Sequence, residues 1–419
     1  MFIAGREFLR GHLLFYFMPI TATDFRFENK LWRLVKQRAS FLCNGWLIGM
    51  VLVVALRIAF CAQAPIESSD LYRHLGFTSH FLEFPKTFYW LVPTDFSNEF
   101  WSDFWSDQGY IYPPLALLFF SFFGTLGIGI FWVKLVLTLC DLGSALLIGK
   151  VTSKWAALLV FSAPISVWYT SHEGQYESMV TLFMVLAIFC ARSGRWKLAG
   201  AAFMLALQTK QLGILIGPYL LFEILHRTRP RQIRAAKGFF IGLIGAFLPF
   251  LPFYYWRPGL WFLPLQNQQN ILNAFYWPFF CSNGSMAHFD ECSYLRILWD
   301  LAVSMTPIAL LAFFLVRGQF FRKLPQVLPT LGFWIMIKSV SWVMNWYMLL
   351  LPGCSFALWR YRRCMMALLI IYWLQCGQQV ASMIGDINIE EPASIARFQE
   401  CIWSANYRAE EPDGNEEEK

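Results

Sequence analysis

The sequence predicts an all-α protein that crosses a membrane many times, and three observations support this fold class. Of the 419 residues, 57% are hydrophobic and only 15% are charged, whereas soluble domains usually carry about 25% charged residues. The apolar residues form long runs, and short basic or polar segments separate these runs. This composition excludes a disordered chain, an ordinary nucleic-acid binder and a soluble enzyme of average composition.

A helix needs about 20 mostly apolar residues to cross a bilayer, and about eleven segments meet or approach this length. We expect transmembrane helices at residues 43–62, 129–149, 155–170, 178–192, 197–209, 211–225, 238–256, 298–316, 325–344, 347–359 and 364–384. The spans around Gln208 to Gln211 are expected to form a broken hairpin. The segment 113–128 is apolar but rich in Gly near its end, so we expect it to lie in the membrane interface or to re-enter.

The distribution of Lys and Arg is more informative than the net charge of +7, which is small for this length. The proposed spans bring all basic segments to one side of the membrane; these are residues 1–40, 150–154, 192–197, 227–237, 317–323 and 360–363. Cytoplasmic loops carry an excess of Lys and Arg, so this side is predicted to be cytoplasmic. The opposite side receives the neutral to acidic segments 63–112, 171–177, 257–297 and 386–419.

This topology divides the chain into three regions. They are a basic cytoplasmic N-terminal segment (1–42), a transmembrane domain (43–385) and an acidic non-cytoplasmic tail (386–419). The first apolar run is expected to be a retained span, because Pro65 directly follows a sequence that resembles a signal-peptide cleavage site. Cys281 and Cys292 share a polar loop and could pair in an oxidising compartment. The membrane could be a bacterial inner membrane or that of the endoplasmic reticulum.

The first polar cluster follows the first span directly. Helical spacing would place Asp70, Arg73 and His74 on one face, at positions i, i+3 and i+4. A carboxylate there could act as a general base, and the two cationic groups could bind phosphate or keep the carboxylate ionised. An Asp–Arg pair that only caps a loop helix is the structural alternative.

Two further clusters lie on the predicted non-cytoplasmic side. Tyr112 precedes Pro113-Pro114, a pair suited to the first turn of a helix. Between two spans, an imidazole, two carboxylates, an amide and a phenol occur within seven residues; they belong to His172, Glu173, Gln175, Tyr176 and Glu177. Ionisable groups at such a position indicate a binding site, and a solvated polar turn is the alternative.

The fourth cluster places Lys210 and Gln211 inside an otherwise apolar helical pair. A Lys in this environment requires a partner, which could be a phosphate anion, Glu173 or Glu177. Lys338 in the ninth predicted span raises the same question, with snorkelling to the interface as the alternative.

No metal ion and no cofactor are expected. Oxygen and nitrogen ligands could come from Asp70, His172, Glu173 and Glu177. However, the sequence has no Asp-x-Asp pair near Asp70 and no Cys/His zinc spacing, and it has neither a Walker loop nor a Gly-rich dinucleotide motif.

Taken in order, the four clusters resemble motifs of the GT-C superfamily of integral-membrane glycosyltransferases, which use polyprenyl-phosphate sugars. Asp70 with Arg73-His74 is similar to the first-loop Asp and Arg-His of dolichyl-phosphate-glucose-dependent glucosyltransferases. Tyr112-Pro-Pro-Leu115 matches their Tyr-Pro-Pro-Leu. Lys210-Gln211, followed by Pro218, resembles their Lys-Gln motif with its later Pro.

The segment from His172 to Ser178 resembles two versions of one motif. It is similar to the His-Phe-Gln-Tyr-Asn-Ser element of the glucosyltransferases and to a Trp-Gly-Gln-x-Asp-Ser element of bacterial relatives assigned as mannosyltransferases. Asn273-Ala-Phe-Tyr-Trp277 resembles the Asn-Ala-Phe-Asn-x-Trp stretch of the bacterial group. Glu177 stands where the first group has Asn and the second has Asp, so the donor sugar and the acceptor stay open.

The resemblance implies a GT-C fold and transfer of mannose or glucose from a polyprenyl- or dolichyl-phosphate. The acceptor would be a hydroxyl of a lipid, a glycan or a protein on the non-cytoplasmic face, and the configuration would invert. Asp70 would be the base, with Lys210 first and Arg73 second as the cation that neutralises the leaving phosphate. The other binding residues would be Tyr112, His172, Glu173, Gln175, Tyr176, Glu177, Gln211 and Lys338.

Two other classes of protein share this composition, a lipid-linked sugar transporter or flippase and a non-catalytic subunit of a membrane assembly. A transporter often shows an internal repeat and polar groups near the membrane centre. The sequence shows no repeat at an obvious period, and its polar clusters gather on one side. The partners expected for the enzyme are the lipid-linked donor, the acceptor and membrane lipid, with no nucleic acid.

The predicted topology can be tested with reporter fusions. Fusions after Lys154, Lys197 and Lys323 are each expected to report the cytoplasm, because these residues lie in the basic segments. A reporter signal from the opposite side at any of the three positions would contradict the topology.

Overall fold

The computed structural model of the protein describes residues 45–65, 70–91, 110–262, 320–339, 345–370 and 372–373. All regular secondary structure in these residues is helical, which confirms the predicted all-α fold class. Two compact units can be distinguished, Met1–Val51 and Leu52–Lys419. Only residues 45–51 of the first unit are described, and the contacts given below all lie within the second unit.

Between Pro114 and Trp256 the helices follow one another through short turns. The first part of the chain forms α1 (Gly45–Ala62), α2 (Asp70–Ser79), α3 (Pro114–Thr125), α4 (Ile130–Val151), α5 (Lys154–Phe161), α6 (Pro164–Ser166), a π-helix (Val167–His172) and α7 (Glu177–Arg192). It continues with α8 (Trp196–Thr209), α9 (Gly217–Leu225), α10 (Arg229–Phe247), α11 (Leu251–Trp256), α12 (Phe320–Ser339), α13 (Leu351–Ser355) and α14 (362–370). Short 3-10 helices lie at His80–Leu82, Phe88–Trp90, Gln211–Ile216, Leu248–Phe250, Leu260–Phe262, Asn345–Leu350 and Phe356–Leu358.

Local sequence explains where several helices begin and end. Pro114 occupies the first turn of α3, as its fixed backbone angle favours. The hydroxyl of Ser153 accepts a hydrogen bond from the backbone N–H of Ala156 and caps α5. Gly194, with a φ of 74°, provides the left-handed conformation that ends α7 and starts the turn to α8.

Within the described residues, three helices are long and apolar enough to cross a membrane: α1, α4 and the continuous stretch Arg229–Trp256. A fourth candidate is the pair Pro164–His172 and Glu177–Arg192, which is bent by 117° at the intervening turn. The protein is therefore a membrane protein, but the predicted total of about eleven spans stays a prediction. Many of its helices are shorter than one bilayer crossing, and residues 298–316 lie outside the described part of the chain.

Several predicted boundaries are wrong. The span at 155–170 is interrupted after Phe161, because Pro164 cannot continue the preceding hydrogen-bonding pattern. The span at 238–256 begins earlier, at Arg229, so most of the predicted basic loop 227–237 is helical; Pro230 in the first turn favours this start.

Three of the basic segments, 192–197, 227–237 and 360–363, lie at one end of the bundle. The guanidinium of Arg192 lies 4.0 Å from the ring centroid of Trp359, and that of Arg227 lies 4.7 Å from the ring of Trp196. Arg360 forms an ion pair with Glu223 at 3.4 Å. These contacts join the loops after α7, α9 and α13; the assignment of this end to the cytoplasm stays a prediction.

At the opposite end of the bundle, other helix ends contact one another. Lys134, near the start of α4, donates a hydrogen bond of 2.7 Å to the carbonyl of Gln63, just after α1. The indole of Trp90 donates to the carbonyl of Trp256 at the end of α11, at 3.0 Å. Helix α2, which belongs to the loop after α1, packs on α3 at this end.

Helices α8 and α10 pack backbone to backbone, because glycine lies at both contact points. A Cβ on Gly200 would collide with the carbonyl oxygen of Phe239, and a Cβ on Gly242 would collide with that of Lys197. Small residues permit this close approach in membrane helices. The contact fixes α8 against α10. Helix α8 ends at Thr209, next to Lys210 and Gln211 of the fourth cluster.

Replacing Gly242 with Ala is expected to destabilise the protein by about 1–3 kcal/mol, since the added methyl group must separate the two backbones. The control is Gly245→Ala one turn along the same helix, where a Cβ meets nothing within 4 Å. That variant should melt at the wild-type temperature or above, because Ala favours helix. Equal melting temperatures of the two variants in detergent would contradict this packing.

Candidate functional site

The turn between the π-helix and α7 forms the centre of the candidate site. Gly174 has a φ of 74°, and a Cβ there would collide with Leu71 of α2. Glycine therefore allows both the reversal of the chain and the close approach of the first-loop helix. The turn is not the solvated loop of the alternative interpretation, because His172, Glu173, Gln175, Tyr176 and Glu177 are all buried.

His172 and Glu173 form a hydrogen-bonded pair at the start of this turn. The imidazole Nδ1 lies 2.6 Å from Oε1 of Glu173. The ring of Trp168 stacks on the imidazole at a centroid distance of 4.5 Å, and that of Phe60 meets it edge-on at 5.9 Å. The carboxylate fixes one ring nitrogen, so the pair has the orientation that a hydrogen-bonding or proton-accepting imidazole needs.

Lys210 and Glu177 form a buried ion pair on the other side of the turn. Helix α8 ends at Thr209, and Lys210 adopts an extended conformation with a φ of −157°, so the break lies where the sequence predicts it. The ammonium of Lys210 contacts Oε1 of Glu177, the first residue of α7. A carboxylate at a helix N-terminus and a cation just after a helix C-terminus are both favourable positions.

Two tyrosine rings flank this ion pair. The ammonium of Lys210 lies 5.2 Å from the ring centroid of Tyr176 and 5.7 Å from that of Tyr112, within the range of cation–π attraction. The carbonyl of Tyr112 accepts a hydrogen bond of 3.0 Å from Tyr89. Burial raises the pKa of the Tyr89 phenol well above its usual value, so this donor keeps its proton.

His74 brings the first-loop helix into the same group of rings. Its imidazole stacks on Phe120 at 4.5 Å and meets Tyr112 and Tyr176 edge-on at 4.9 and 5.3 Å. His74 is only 2% exposed. The first, second, third and fourth polar clusters of the sequence therefore converge at one end of the bundle.

The structure also shows buried charges that sequence reasoning missed. Arg57 of α1 forms an ion pair with Asp141 of α4 at 3.1 Å, and Lys134 of α4 is buried and donates a hydrogen bond to the carbonyl of Gln63. The available signal was the presence of three ionisable residues inside apolar runs, which is rare without a function or a partner.

Several predicted site residues are placed only in part. Asp70 is the first residue of α2, and Arg73 lies one turn later, so the helical spacing is confirmed while their side chains lie outside the described part. Gln211 begins the 3-10 turn after Lys210. Lys338 lies at the end of α12, its side chain also outside the described part. Asn273 to Trp277, Cys281 and Cys292 lie in the undescribed segment 263–319.

Fold and site together define a helical membrane protein with a charged, aromatic-rich site at one end of its bundle. Residues 110–317, just under half of the chain, match the family model of glycosyltransferase family 87. The match confirms the resemblance to membrane glycosyltransferases of the GT-C type and implies glycosyltransferase activity, with a sugar donor and an acceptor. A comparison with curated proteins finds no match. The matched segment contains Tyr112, the turn around Glu177 and Lys210.

The ion pair between Lys210 and Glu177 predicts a non-additive mutation cycle. Either Lys210→Met or Glu177→Gln alone should destabilise the protein by about 3–5 kcal/mol, because the remaining charge is buried without its partner. The double variant should recover most of this stability. Melting temperatures of the four purified proteins measure the cycle.

Arg360→Met is the control for this cycle. Arg360 is half exposed in its pair with Glu223, so its loss should change stability by only about 0–1 kcal/mol. Additive effects of the two single changes at the buried pair would contradict a direct interaction between them.

Proposed function

We propose that the protein is a multi-pass membrane hexosyltransferase that uses a polyprenyl- or dolichyl-phosphate sugar. It transfers mannose or glucose to an acceptor hydroxyl at the non-cytoplasmic membrane surface, with inversion of configuration. The observation that carries this proposal is the buried Lys210, set between two tyrosine rings at the end of the bundle and within the glycosyltransferase segment. A buried cation at a membrane surface suits the phosphate of a lipid-linked donor.

Lys210 is the proposed ligand of the donor phosphate. In the structure its charge is balanced by Glu177, so the site is close to neutral before the donor arrives. The phosphate would share the ammonium with Glu177, and the cation would neutralise the charge that develops on the leaving phosphate. Arg73 is the second candidate for this role, since it lies on the first-loop helix that covers the site.

Asp70 is the proposed base. It lies four residues before His74 in α2, which corresponds to about 6 Å along a helix axis. The His74 ring contacts Tyr176 and Tyr112, so the backbone at Asp70 lies one helical turn from the site. The acceptor oxygen would attack the anomeric carbon and lose its proton to Asp70, while the bond to the phosphate oxygen breaks and the lipid phosphate leaves with the electron pair.

The remaining polar residues of the turn are proposed to bind the sugar and the acceptor. The imidazole of His172, oriented by Glu173, can exchange hydrogen bonds with a hydroxyl group. Gln175 offers an amide at the same turn. Tyr112 and Tyr176 present aromatic rings to the same region, and Gln211 and Lys338 stay further candidates.

A lipid-linked sugar transporter or flippase is the second candidate function. The ion pair of Arg57 and Asp141 favours it, because Asp141 lies in the middle of α4 and transporters place charged groups near the membrane centre. The two functions differ in their product: a flippase moves an intact donor lipid, whereas a transferase releases lipid phosphate.

The direct test uses the purified full-length protein with polyprenyl-phosphate-mannose and, separately, polyprenyl-phosphate-glucose. Release of lipid phosphate together with a glycosylated acceptor would support the transferase and identify the donor sugar. Transfer of intact donor between the leaflets of a proteoliposome, without release, would overturn the transferase in favour of the flippase.

Asp70→Asn is expected to lower turnover by about 10²–10⁴-fold, because the amide keeps the shape of the side chain but cannot accept the proton. Donor binding and the melting temperature should stay near the wild-type values. The control is Glu83→Gln, a surface carboxylate of the same loop whose partner is His80, and it should keep full turnover. Near-normal turnover of well-folded Asp70→Asn protein would remove Asp70 from the mechanism.

A further inference from the structure

The segment that leads to His172 has an unusual backbone. Residues Val167–His172 form a π-helix, and the N–H of Glu173 bonds to the carbonyl of Trp168, five residues earlier, at 3.0 Å. Such turns are rare and occur often at functional sites. A π-turn contains one residue more than an α-turn, so its presence decides which side chain faces the site at position 172.

One arginine binds both ends of this segment. Arg57 of α1 donates to the hydroxyl of Ser166 at 2.6 Å and to that of Ser171 at 3.1 Å. It also donates to the carbonyl of Phe161 at 2.9 Å and to Asp141 at 3.1 Å. The guanidinium is fully buried, and its fixed fork of donors matches these acceptors.

The spacing of the two serines selects the π-helical form. Side chains five residues apart diverge by roughly 140° around an α-helix, since each residue adds about 100°. Ser166 and Ser171 nevertheless reach the same guanidinium, which the wider π-turn makes possible. An α-helical register would release one serine and rotate His172 away from its present position.

The carboxylate of Asp141 and a threonine complete the arrangement. Asp141 accepts hydrogen bonds from both Arg57 and Ser166, and the hydroxyl of Thr138 lies 3.0 Å from that of Ser171. The charges of the pair cancel, and every group has a partner within the network. Such a satisfied buried network fixes one arrangement of the surrounding helices.

We propose that Arg57 and Asp141 act as a positioning clamp: they hold Ser166 and Ser171 on one face, keep residues 167–172 in the π-helical register and thereby orient His172 and Glu173 in the site. The proposal rests on the proposed function only in assigning a use to His172. In this proposal Arg57 and Asp141 act on His172 through Ser166 and Ser171, so their role is that of positioning residues.

The test compares Ser166→Ala, Ser171→Ala and the double variant with the full-length wild type. The backbone amides of residues 167–175 should exchange hydrogen faster in the variants, most of all in the double variant, because the clamp no longer favours the π-register. Turnover should fall by about 10- to 100-fold, the effect of a misplaced group at a site, with the donor KM nearly unchanged. Ser171→Thr keeps the hydroxyl and should restore most of both quantities.

Ser144→Ala is the matched control. Ser144 is a fully buried serine of α4 whose hydroxyl donates to the carbonyl of Cys140 in its own helix. It should leave both exchange at 167–175 and turnover unchanged. If the double variant does not fold, the single variants carry the test.

The outcomes separate the clamp from the proposed function. Unchanged exchange and turnover in folded serine variants would overturn the clamp. Faster exchange in the variants, with no transferase activity even in the wild type, would support the clamp and contradict the proposed function. Equal loss of turnover in Ser144→Ala would show a general sensitivity of the bundle and overturn the specific role.

Discussion

The pairing of buried charges is the constraint on which the rest of the structure depends. An ionised side chain inside an apolar bundle is unfavourable by several kcal/mol unless another charge or a set of hydrogen bonds compensates it. Lys210 and Glu177, and Arg57 and Asp141, satisfy this requirement with partners on different helices. Each pair therefore brings two segments of the chain side by side: α1 beside α4, and the end of α8 beside the start of α7.

The same pairs explain why the site lies at one end of the bundle. Glu173 pairs with His172 in the turn before α7, and Glu177 at the start of α7 pairs with Lys210 at the end of α8. Helix α2 then closes over the turn through Leu71 and His74. Polar groups accumulate where the helices end, because backbone irregularities there are already satisfied by neighbouring loops.

A site of this kind suits a charged lipid substrate. Its cation is buried and paired with Glu177, and under the proposed function an incoming donor phosphate would meet this fixed positive group. The surrounding rings supply faces that interact with both the ammonium and a sugar. The match of residues 110–317 to a glycosyltransferase family model agrees with this chemistry. In the proposed clamp, the π-helix sets the orientation of His172 at its end.

The amino-acid sequence predicts the all-α fold class and the positions of the polar clusters along the chain. Periods of apolar residues predict helices such as α1, α3, α4, α7 and α8 nearly to their ends, because hydropathy and proline signals are local. Only the tertiary structure shows that Lys210 pairs with Glu177 and that Arg57 donates hydrogen bonds to Ser166 and Ser171. These partners lie 33 to 114 positions apart in the chain, and no local pattern specifies which buried charge meets which. The proposed origin of the π-register is likewise non-local, because Ser166 and Ser171 are held by an arginine from another helix.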